Sequence, residues 1–141
     1  MNDLISLLET QKEQLDSLAG MLESELHLIS TRDAEALTRV LQDKTDLLDK
    51  ISVTDQTLKT TFERQNDPMS NDDVAGLFEQ INHSLAQCKF RTEINQKAVE
   101  QGQLRLEHLR SLLLESRAKE TMTYDKSGKP KGGTAGKGIS A

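Results

Sequence analysis

Apolar residues that recur every three or four positions constrain this chain more than any other feature. Leu8, Leu15, Leu22 and Ile29 stand seven residues apart, with Leu4, Leu18 and Leu26 between them. That spacing lines one side of an α-helix and cannot line one side of a strand, so it predicts an amphipathic helix over residues 2–30. "STRD" then supplies a new start, with Ser30 as the N-cap candidate and Asp33 three residues on. A second helix runs to about Gln65 on Leu37, Leu41, Leu48, Ile51, Leu58 and Phe62, and its stripe has two polar members, Lys44 and Asp55. "NDPMSNDD" breaks the pattern: Pro68 disfavours helix at the residue before it, and Ser70 followed by Asp73 reads as a fresh N-cap.

From Val74 the alternation resumes through Phe78, Ile81, Leu85, Cys88, Thr92, Asn95, Val99, Gly102, Leu106, Leu109 and Leu113. A single helix over residues 71 to about 119 would be roughly 70 Å long at 1.5 Å per residue. Its middle is weak, with Thr92 and Asn95 on the stripe and a helix-destabilising Gly102, so the sequence leaves open whether the helix is continuous through 89–103 or kinks or splits there. Short connections at 30–33 and 66–71 imply antiparallel neighbours. The predicted architecture is therefore all-α: an elongated antiparallel helical bundle, or coiled-coil hairpin, of three long helices with a flexible C-terminal tail.

Composition agrees. Among 141 residues only 3% are aromatic and there is no Trp, while 35% are hydrophobic and 29% charged. Such a mixture suits helices sharing a narrow seam better than an aromatic-centred globule. The single Cys88 cannot form an intramolecular disulfide and fits a reducing compartment; its place on the stripe marks it as a buried thiol. The opening residues carry Asp3 and Glu9 where a secretory leader needs a basic start and a long apolar run. No segment approaches the ~20 apolar residues of a membrane span. These features describe a soluble, cytoplasmic protein.

The last residues differ from the rest. "TMTYDKSGKPKGGTAGKGISA" holds five of the eight glycines, and from Thr123 onward four lysines face one aspartate in a chain whose net charge is −5. Glycine and lysine without apolar residues cannot offset the entropy of ordering. The domain reading is thus a helical bundle over 1–120 and a flexible, basic Gly/Lys-rich tail over 121–141.

Catalytic chemistry is not evident. His27, His83 and His108 are scattered, with no pair at the i, i+4 spacing of a helix metal site. Asp72 and Asp73 read as first-turn acids that favour a helix N-terminus. "GGTAGKG" is not a phosphate loop: Gly132 and Gly136 enclose three residues where the motif has four, and Gly138 stands where it has Ser or Thr. Four lysines on an acidic protein make a poor case for nucleic acid. We expect no enzyme activity, no cofactor, no metal, no nucleic-acid partner and no stable membrane insertion. Lys44 has two readings: a lysine whose stem packs while its ammonium reaches solvent, or a register-setting pair with a facing carboxylate.

Two stretches carry a family likeness. One is "LQDKTDLLDKI", with Asp33 before it and Lys44 ahead of Leu47, Leu48 and Ile51. The other is the ending, "LRLEHLRSLLLE" and then "TYDKSGKPKGGTAGKGIS". With them the chain resembles the FlgN family of flagellar type III export chaperones over nearly its whole length. Relatives close on a leucine-rich helix, a Tyr-Gly-x-x-Gly element and a Gly-Lys-x-Ile-Ser ending, and Tyr124, Gly128, Gly136, Lys137, Ile139 and Ser140 fall on that pattern. Asp125 departs from it where relatives often have Gly, and Asn95-Gln96 departs where many have Asn-Gly.

The resemblance implies a cytosolic chaperone for the two hook–filament junction (hook-associated) proteins. It would bind their C-terminal segments, prevent premature assembly and deliver them to the export gate. Cargo binding is then expected on Val99, Leu104, Leu106, Leu109, Leu112 and Leu113, and gate docking on Tyr124. Five leucines cover too broad an arc for one seam: Leu106, Leu109 and Leu113 suffice for it, leaving Leu104 and Leu112 for another surface. The alternative is that all five are core of a four-helix packing. Two other functions compete. One is a structural coiled-coil adaptor with no chaperone role, its third helix paired with a copy of itself. The other is a membrane-surface amphipathic protein, although Lys/Arg-rich flanks and aromatic residues are lacking.

Overall fold

A computed structural model describes the backbone of residues 1–126 and the side chains as far as Thr121. It holds three long helices, α1 (Asn2–Thr31), α2 (Ala34–Glu63) and α3 (Asp72–Lys126), with a 3-10 turn at Pro68–Ser70. No strand occurs among the described residues, so the fold is all-α. The helix starts differ from those read in the sequence. Ser30 is not a cap: α1 continues through it, and its hydroxyl donates to the Leu26 carbonyl at 3.0 Å. Arg32 ends α1 in the left-handed region, φ 60°, at a cost of about 1 kcal/mol for a residue with a Cβ. Asp33 caps α2, its Oδ1 accepting from the Ala36 amide at 3.1 Å. Ser70 likewise donates backwards, to the Asp67 carbonyl, and Asn71 is the cap of α3, accepting from the amides of Asp73 and Val74. A hydroxyl can serve as cap or bond the preceding turn, and both serines take the second option.

The chain divides into two units, Met1–Ala98 and Val99–Ala141, and α3 contributes to both without interruption through residues 89–103. α3 also runs past 119 to Lys126, so residues 121–126, assigned to the tail, have helical backbone. The remainder of the expected tail, 127–141, lies outside the described residues.

In the first unit α1 supplies Leu4, Leu8, Gln11, Leu15, Leu18, Leu22 and Glu25 to the interior, an unbroken alternation of four and three. Two of these are polar, and an apolarity search passes over them. Glu25 meets Lys44 of α2, whose Nζ donates to Oε1 at 3.2 Å and Oε2 at 3.0 Å. Of the two readings of Lys44, the facing carboxylate is the one realised. Because the Glu25 side chain is only 10% exposed, removing the lysine would strand a shielded charge, a loss of about 2 kcal/mol or more. The pair fixes which turn of α2 lies against which turn of α1, running antiparallel.

The stripe of α2 is also offset by one row. Thr54 and Leu58 are buried, with Leu37, Val40, Lys44, Leu47 and Ile51 half-buried on the same alternation, while Leu41 and Leu48 are exposed and Asp55 faces solvent. Phe62 packs edge-on against Phe78 of α3, ring centroids 5.5 Å apart.

α1 and α3 run parallel, tied at a seven-residue repeat on both helices. The Cys88 thiol donates to the Leu15 carbonyl at 3.3 Å, and seven residues on, Asn95 Nδ2 donates to the Leu22 carbonyl at 3.0 Å. Beside these, Ser84 donates to Asp16 at 2.8 Å and Arg91 pairs with Glu23 at 2.6 Å, again one heptad apart. Val74, Ile81, Cys88 and Asn95 form the buried row of α3 in this unit.

Candidate functional site

Beyond Ala98 the character of α3 changes. Residues 99–121 are rich in Leu, Arg, Glu and Gln, good helix formers with no β-branched run, which explains why the helix persists there. Yet its large apolar side chains are not covered. Val99 is 44% exposed, Leu104 64%, Leu106 59%, Leu109 53%, Leu112 47% and Leu113 58%. Leu114, which the sequence reading left out, is 37% exposed and stands on the row of Glu100 and Glu107, off the stripe. Full burial of a leucine is worth roughly 1.5–3 kcal/mol, so each of these leaves about 1 kcal/mol of hydrophobic stabilisation unrealised. At about 100° per residue Val99, Leu106, Leu109 and Leu113 share one side of α3 with Leu112 at its edge, while Leu104 stands on the opposite side. An exposed apolar stripe of this kind marks an interaction site. The leucines assigned to a bundle seam, Leu106, Leu109 and Leu113, are as exposed as Leu104 and Leu112. The four-helix core is likewise not what the fold shows. Gly102 sits among them, and beyond its chain neighbours and the local helix backbone nothing lies within 4 Å of where a Cβ would stand, so packing does not require glycine there.

Other features of the described residues are structural. The Cys88 thiol is pushed up from its ordinary pKa mainly by burial and secondarily by the nearby Asp16 charge, which suits a closed packing position and not a nucleophile. Asp16 is held below the usual aspartate range, first by its hydrogen bond with Lys12 and then by that with Ser84. Within the first unit a groove of about 410 Å³ opens beside Leu48, Ile51, Leu58, Phe78, Ile81 and Leu85. His27, His83 and His108 are all exposed, and among the described residues no group of three or more His, Cys, Asp or Glu side chains is placed to hold a metal ion. No helix among them is long and apolar enough to cross a membrane. Tyr124, the expected docking residue, lies in the last turn of α3; its side chain is outside the described residues.

Three long helices with an uncovered leucine face define a helical bundle with an apolar surface available to a partner. The FlgN protein family model matches residues 1–132, and the chain belongs to the FlgN family, a family of flagellar export chaperones. No curated protein and no solved structure matches it.

Proposed function

We propose that this protein is a cytoplasmic export chaperone whose cargo is the C-terminal segments of the hook–filament junction proteins. It holds them back from premature assembly and carries them to the type III export gate. The observation that carries this reading is the leucine face of α3, Val99 to Leu113, left uncovered on a member of this family. An amphipathic segment that is disordered alone and helical when bound would lay its apolar side along such a face. Ordering the segment on binding lowers affinity for a given buried area, which suits a chaperone that must release its cargo. The basic residues 127–141 would act as a tether, with Tyr124 as the contact to the gate. Tyrosine serves well in that role because it brings a large contact area at low entropy cost.

The test is titration of the full chain with each junction protein's C-terminal segment. A 1:1 complex that Leu112→Gln weakens about tenfold or more, with the melting temperature unchanged, supports the assignment. Absence of binding to both segments refutes it. Tyr124→Ala should leave that affinity intact while reducing secretion of the junction proteins.

A further inference from the structure

The charges beside the leucine face are sorted by sign. Val99, Leu106 and Leu113 occupy one row of a heptad, and Gly102, Leu109 and Ser116 the other. Positions flanking these rows are Gln103, Arg110 and Arg117 on one side and Arg105, Leu112 and Lys119 on the other. Every cation of residues 99–121 is thus on an edge of the stripe. The acids Glu100, Glu107 and Glu115 fall on outer positions, and Glu120 ends the stripe where the next apolar residue would stand. Lys119 has an interaction of its own, so Arg105, Arg110 and Arg117, all exposed, define the basic edges. A net charge of −5 conceals this local arrangement.

In paired helices the flanking positions of one strand face those of the other and set partner choice. A second copy of α3 is a poor occupant. Parallel pairing sets Arg105 against Arg110, and antiparallel pairing sets each arginine edge against itself. Like charges so placed act as a repulsive element against self-association.

We infer that the leucine face takes an amphipathic helix of another chain whose flanking positions carry Asp or Glu, over the roughly 27 Å of stripe between Val99 and Ser116. Resting on the chaperone reading above, this specifies the chemistry of the cargo segment: apolar at the heptad core and acidic at both edges. Charge pairs at the rim give little affinity each but select the partner and speed its encounter.

Two designed three-heptad peptides with identical leucine cores test it, one with Glu at all flanking positions and one with Lys. Both are titrated against the wild-type chain and against Arg105→Glu/Arg110→Glu/Arg117→Glu. Wild type should bind the Glu peptide and prefer it over the Lys peptide by about tenfold or more, with the preference falling at high salt. The triple variant should reverse the order, a gain that mere loss of structure would not produce. Equal binding of both peptides, no binding of the Glu peptide, or an unreversed preference overturns the inference. So does capture of the wild-type chain by phosphatidylserine vesicles in preference to the Glu peptide. Junction-protein segments run in parallel separate the two claims. If they bind wild type and the triple variant equally, the acidic-edge inference fails and the chaperone reading stands. If they do not bind while the peptides switch, the reverse holds.

Discussion

α3 carries one heptad pattern through two environments. Val74, Ile81, Cys88 and Asn95 are 0%, 8%, 4% and 4% exposed, whereas Leu109, two heptads beyond Asn95 on the same row, is 53% exposed. Only the cover differs. In the first unit α1 lies against the row, and its carbonyls at Leu15 and Leu22 accept from Cys88 and Asn95. From Val99 onward no described residue on the row is buried. Periodicity states that a helix has an apolar side; it does not state whether that side is filled by the same chain.

The contrast is easiest to break at the buried end. Ile81→Asn should cost about 3 kcal/mol or more, through lost burial and an amide placed among apolar neighbours, and should lower the melting temperature by many degrees. Leu109→Asn, on the same row, should move stability by less than about 0.5 kcal/mol yet impair partner binding. Thermal melts of the two variants side by side make the measurement, and equal losses would erase the distinction between the regions.

A smaller effect of opposite sign is expected at Gly102. Alanine there should add about 1 kcal/mol of helix stability, since glycine is unfavourable in a helix interior and nothing beyond the local helix surrounds its Cβ position. Slower amide hydrogen exchange across residues 99–121, with the first unit unaltered, is the expected readout.

The smallest effect concerns pH. The folded-state pKa of Asp16 lies below the ordinary value of 3.8, so the stabilisation from its ties with Lys12 and Ser84 is present above that value. It is lost as pH falls through the lower, folded-state value. With the side chain half exposed the loss is slight. A shallow decline in melting temperature below about pH 3.8 should be flattened by Asp16→Asn.

Helix number, type and approximate extent were legible because the breaks read at 30–33 and 66–71 interrupt a continuous three-four alternation. What was misjudged has a common cause. Gln11, Glu25 and Thr54 hold seam positions, and a search for apolar residues slides off them to the next leucine: to Leu26 for Glu25, and to Leu41 and Leu48 for the row of Val40 and Leu47. Reading the alternation strictly, polar members included, would have placed Glu25 on the α1 seam as the carboxylate for Lys44, which was already read on the α2 stripe. At the candidate site, the surplus of leucines was legible in composition, and its exposure was not, because periodicity does not state whether an apolar side is covered. The arginine edges were present in the sequence, contrary to the reading that Lys/Arg-rich flanks are lacking, and emerge only when the stripe is laid out with its flanks.

Hydrogen exchange along α3, in the free protein and with a junction-protein C-terminal segment bound, tests the assignment of the leucine face most directly. Protection should be strong over residues 74–95 in both states, weak over 99–121 in the free chain, and gained over 99–121 on binding. Protection gained instead beside the first unit's groove, with 99–121 unchanged, would show that the leucine face is not where the partner sits.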